Sequence, residues 1–229
     1  LLEGLAQQGP KVHLRKDLLD HVSGHFHVLS KSGEGTGAKA AQTRLVIALE
    51  LKDAAAVKRT ITKVMASAPP TVKTREFQGE TLYEVPMPDG GQLGGGKGED
   101  AGGPKSAGMV IAEGQLMFSN DVTLLEQVLR SKSDQEQLSE SPIYKRIAKK
   151  FPAKTTSITF SRSDEQVRAA YELLRSGALT KGATDAPDFS KLPEFSVLQK
   201  YFAPSGGYSV PDEHGLKSVT FSLSGTGSE

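Results

Sequence analysis

A chain of 229 residues with 28 Lys and Arg against 27 Asp and Glu has almost no net charge, so it lacks the basic excess of a general polyanion binder and sets up no long-range steering field. Cysteine is absent, which removes disulfides, thiolate nucleophiles and Cys-ligated zinc or iron–sulfur clusters. The length suffices to bury a sizeable core, and no apolar run approaches the ~20 residues that cross a bilayer.

In chain order, the first chemistry-bearing pattern is His21, His25 and His27, spaced H-x-x-x-H-x-H. Neutral imidazoles are common metal ligands. On a strand, His25 and His27 share one face, with Phe26 and Val28 on the other. That supplies two ligands of a metal site, with the third from His21, across the break at Ser23-Gly24, or from a carboxylate elsewhere. The competing reading is a solvated polar strand face.

Next comes a module that recurs three times: a strand, a polar cap, then an amphipathic helix. In the first copy Leu45, Ile47, Leu49 and Leu51 follow a period of two. Asp53 then caps a helix with Val57, Ile61, Val64 and Met65 as its buried stripe, and Pro69-Pro70 stop it. The second copy is the strand Gln115–Ser119, a cap at Ser119–Asp121, and a helix striped by Val122, Leu125, Val128 and Leu129. The third is the strand Thr155–Arg162, a cap at Ser163, and a helix with Val167, Ala170, Tyr171 and Leu174 inward, closed by Gly177.

Between the modules, Gln78-Gly79 and Glu113-Gly114 are two-residue connections that suit tight hairpins. A last hairpin runs from Gly207 to Leu223 around Pro211–Gly215. Antiparallel hairpins with helices in runs predict an α+β fold. The expected form is one mostly antiparallel sheet with helices packed on one face, in a single domain over 1–229. The Gly-rich segments 33–41 and 89–108 read as flexible loops.

The second of these segments contains Gly91-Gln-Leu-Gly-Gly-Gly96-Lys97-Gly98, close to a phosphate-binding loop. It has Gly98 where that loop needs Ser or Thr, and Pro104 and further glycines where a helix must start. It is therefore read as loop. Ile143 to Phe151 reads as a basic amphipathic helix, with Ile143, Ile147, Ala148 and Phe151 on one side. Lys145, Arg146, Lys149 and Lys150 cover the other, a face that suits weak contact with an anionic membrane surface or ordinary solvation. No G-x-S-x-G or H-E-x-x-H motif is present, so no catalytic residue and no cofactor is assigned.

Five stretches carry a family resemblance: Leu14-Arg-Lys-Asp-Leu-Leu, Arg75-Glu-Phe-Gln-Gly, Phe160-Ser-Arg-Ser-Asp-Glu with Tyr171-Glu-Leu-Leu-Arg-Ser-Gly, Ser190-Lys-Leu-Pro-Glu-Phe with Lys200-Tyr-Phe-Ala-Pro-Ser-Gly, and the hairpin Asp212–Leu223. Together they resemble the C-terminal half of a large group of uncharacterised, exported planctomycete proteins, a domain of unknown function. The resemblance implies a periplasmic or cell-envelope setting and an upstream portion. It implies no catalytic residue.

Three functions follow as expectations. The first is a non-enzymatic extracytoplasmic structural or protein-interaction domain, with a protein partner or self-association and no nucleic acid; it predicts a flat exposed patch. The second is a carrier for an apolar small molecule or lipid. The third is a hydrolase using carboxylates or the histidines.

Overall fold

The computed structural model describes residues 12–32, 43–87, 106–134, 137–177 and 187–223. The Gly-rich segment 33–41 and the phosphate-loop-like stretch Gly91–Gly98 lie outside the described residues. The described chain forms two compact units, residues 12–134 and 137–223.

In the first unit, β1 (Val22–Ser32), β2 (Thr43–Leu51), β3 (Lys73–Phe77), β4 (Glu80–Pro86), β5 (Ser106–Ala112) and β6 (Gln115–Ser119) make one antiparallel sheet, ordered β1-β2-β6-β5-β4-β3. The two expected hairpins are there. Gln78 and Gly79 have φ of 52° and 82°, and Glu113 and Gly114 have 56° and 74°. Two successive left-handed residues match the right-handed twist of the flanking strands. Of the segment 89–108 read as loop, Ser106–Gly108 instead pair with β4, where the Ser106 hydroxyl donates to Glu84 at 2.8 Å, and the rest lies outside the described residues.

Among the described residues this unit has the helices α1 (Leu14–Asp17), α2 (Ala54–Met65) and α3 (Val122–Asp134). Asp53 caps α2 by accepting the Ala56 N–H at 2.8 Å. Asp121 caps α3 by accepting the Thr123 N–H at 2.9 Å.

The α+β class is present, but the helices do not share one face. Helix α2 packs Val57 and Ile61 on Leu51, Tyr83, Met109, Ile111 and Leu116. Helix α3 packs Leu124 and Leu125 on Val46, Ala48, Leu82, Val110 and Met117. These two sets have opposite strand parity and therefore lie on opposite faces. The cause is in the strands. Leu45-Val46-Ile47-Ala48-Leu49 and Met109-Val110-Ile111-Ala112 are apolar at both parities, the pattern of strands buried on two sides. Each large side chain so buried contributes about 1.5–3 kcal/mol.

In the second unit, β7 (Ser157–Ser161), β8 (Ser205–Asp212) and β9 (Gly215–Ser222) form an antiparallel sheet. Helix α4 (Pro142–Ala148) lies on it, capped by Ser141. Ile147 is fully buried, Tyr144 meets Phe160 edge-on at 5.4 Å, and Phe151 contacts Tyr208 and Phe221. Helix α5 (Ser163–Arg175) starts one residue earlier than expected. Arg162 holds the cap position without a side-chain cap bond, so Ser163 is the first helical residue. Gly177, at φ 72°, closes the helix as predicted. Tyr171 meets Phe195, at the start of α6 (Phe195–Leu198), with the rings tilted by 52°, and its hydroxyl donates to the Pro193 carbonyl at 2.6 Å. Ala170, expected inward, is exposed, because α5 packs on this irregular segment.

Candidate functional site

Strand β1 begins with a distortion. Its register with β2 shifts between Val22 and Phe26, and Gly24 sits at φ 95°, a conformation that favours glycine. This bulge turns Ser23 and His25 toward Glu50. The His25 Nδ1 lies 2.8 Å from Glu50 Oε2, and the Ser23 hydroxyl donates to the same oxygen at 3.2 Å. His27 stands opposite Ala48. His21 ends a short helical turn, where its carbonyl accepts the Lys52 N–H at 2.7 Å. Among the described residues no group of three His, Cys, Asp or Glu side chains could hold a metal ion. The three histidines are thus not gathered into a ligand set; His25 forms an exposed pair with Glu50 instead.

Beyond the bulge, β1 is exposed from Gly24 to Lys31. Among the described residues it is an edge strand, paired only with β2. Phe26 is 65% exposed and Val28 56%. Val28 pairs with Ile47, and Ile47 with Phe118, which is 39% exposed. These side chains form an apolar row across three strands, on the face that α2 covers further along the sheet. Composition alone did not reveal it, because Phe26 and Val28 read as the inward half of a histidine strand.

Two polar networks hold this unit together. Arg75 on β3 reaches Glu126 on α3 and Glu84 on β4. Arg130 bonds the other Glu126 oxygen at 3.0 Å, and Arg75 and Arg130 both lie over the Phe77 ring, at 5.6 and 5.0 Å. The Glu126 hydrogen bond raises the Arg75 pKa above its ordinary value, against the opposing effect of burial. The second network joins β2 to the start of α3. Asp121 lies 3.6 Å from Arg44. Asn120 bonds the Leu45 N–H and the Thr43 carbonyl, and the Ser119 hydroxyl sits 2.8 Å from the Leu45 carbonyl. Both networks are scaffolding, since each charge already has a protein partner.

In the second unit the helix expected over 143–151 ends at Ala148, so Lys145 and Arg146 lie on α4 and Lys149 and Lys150 just past it. Lys145, Arg146, Lys149 and Lys150 are all exposed. Lys150 lies 5.7 Å over the Phe221 ring. No helix among the described residues is long and apolar enough to cross a membrane.

A family model described as "Protein of unknown function (DUF3352)" matches residues 7–183, well over half of the chain. The chain belongs to the DUF3352 family. The matched span takes in the whole first sheet and β7, and stops before β8 and β9. No curated protein and no solved structure matches the chain. The family places this DUF3352 chain among domains of unknown function, which is the coarse content of the resemblance seen in its sequence.

Proposed function

We propose that this DUF3352 chain is a non-enzymatic protein-interaction domain of the cell envelope, and that the β1 end of its first sheet is the docking surface. The observation that carries the reading is the row Val28–Ile47–Phe118, extended by Phe26, on an exposed edge strand. A long apolar edge strand is costly to leave bare, because its free N–H and C=O groups template pairing with another chain. Proteins use such edges to accept a partner's strand or surface. Lys31 and the Gly24 bulge flank the apolar stretch, an arrangement that confines pairing to its middle. The envelope setting rests on the resemblance alone.

Native mass spectrometry of protein purified from its own host tests this. The expected result is a complex with a second polypeptide, or with another copy of the chain. It should be lost in a Val28→Asp variant that melts like wild type. A free monomer in both samples, or a bound small-molecule mass, would count against the reading. Fractionation of the same host tests the envelope setting.

A further inference from the structure

We propose that the exposed cationic side of α4, together with Lys149, Lys150 and Lys154 in the chain that follows it, docks the protein on an anionic lipid surface. The first support is charge segregation. Residues 141–163 contain Lys145, Arg146, Lys149, Lys150, Lys154 and Arg162 and not one carboxylate, although the whole chain is nearly neutral. The remainder is therefore acidic on balance, and this stretch is one place where a positive potential can form.

The second support is availability. Lys145, Arg146, Lys149, Lys150 and Lys154 are exposed. None of them is ion-paired among the described residues.

The third support is the way the helix is seated. Its apolar side is occupied: Ile147 is buried on the second sheet, and Tyr144 and Phe151 pack on Phe160, Tyr208 and Phe221. The helix therefore cannot roll its apolar side into a bilayer as an interfacial helix does. It presents a rigid cationic face, and the contact is electrostatic and peripheral. The same packing argues against nucleic acid, whose single strands are held by stacking bases on exposed rings; the rings of this helix are engaged. Four of the five exposed cations are lysines, hydrated point charges suited to a diffuse headgroup layer rather than to bidentate phosphate recognition.

Co-sedimentation of the full chain with vesicles tests the proposal. Wild type is expected to pellet with phosphatidylcholine vesicles containing one-third phosphatidylglycerol, and not with phosphatidylcholine alone. Raising salt from about 0.15 to about 1 M, which shortens the Debye length from about 8 to about 3 Å, should release it. Each cation at an anionic surface contributes about a fivefold factor in affinity, so Lys145→Gln/Arg146→Gln/Lys149→Gln should bind roughly a hundredfold more weakly. The charge-conserving Lys145→Arg/Lys149→Arg variant should bind as wild type. If the glutamine variant melts early, the salt titration of wild type remains an independent readout. Failure of wild type to bind the anionic vesicles, undiminished binding by a folded glutamine variant, or displacement from the vesicles by a stoichiometric single-stranded oligonucleotide would overturn the proposal.

Discussion

Ile147 rests directly on the backbone of Gly206. A β-carbon added to Gly206 would lie 2.4 Å from Ile147 Cγ2 and 3.0 Å from the tip of the Phe221 ring. Glycine at 206 is thus what lets α4 sit close on the second sheet and hold its cationic side outward.

Gly206→Ala should therefore destabilise the second unit by about 1–3 kcal/mol, the cost of overpacking a filled site. Ile147→Ala alone should cost about 2–5 kcal/mol through the cavity it leaves. Combined, the two should cost less than their sum, because the added methyl partly fills that cavity. Urea unfolding of the four proteins measures the cycle.

The buried Asp121–Arg44 pair predicts a large effect from one atom group. Asp121 caps α3 and faces Arg44 from a site with little solvent. Asp121→Ala removes the cap of α3 and the carboxylate 3.6 Å from Arg44, and should cost about 2 kcal/mol. Thermal melting checks this, and a loss under about 1 kcal/mol would mean that the pair is solvated.

Much of this was legible in the sequence, and the exceptions have a common cause. Both Gly-containing hairpins, the caps Asp53 and Asp121 and the stripe of α2 are local patterns, fixed by residues a few positions apart. The two-sided burial of the first sheet was also written in the apolar runs of β2 and β5, where period two was read over a continuous run. The Arg75–Glu126 link spans 51 residues, and no local rule reaches that far. Phe26 and Val28 alternate as an inward face should; their exposure follows from β1 lying at the sheet edge, which depends on strand order. The basic helix was legible, since its faces are set by a period of 3.6 residues.

At the β3–β4 turn, Gln78 holds a left-handed conformation, φ 52°, on an exposed site. Such a conformation costs most side chains about 1–2 kcal/mol and asparagine less. Gln78→Asn should stabilise the first unit by about 0.5–1 kcal/mol, read from the urea midpoint.

A pH prediction rests on Asp188. The Ser190 hydroxyl, then the Ser190 N–H, and also Lys191 hold its carboxyl below the ordinary carboxylate value. A depressed folded value means that the contribution is present above the unfolded value and is lost as pH falls through the folded one. Carboxyl NMR should show Asp188 titrating below an ordinary Asp, and Ser190→Ala should move it upward. An unchanged titration would contradict that assignment.

The docking surface on β1 is tested most directly by a photo-crosslinking amino acid placed at Val28 in the native host, with a control at Glu213, which is exposed at the turn of the second sheet. One defined polypeptide adduct is expected from position 28, absent at 213 and abolished by Phe118→Asp in the same chain. Equal labelling from both positions, or an adduct from 28 that survives Phe118→Asp, would contradict it.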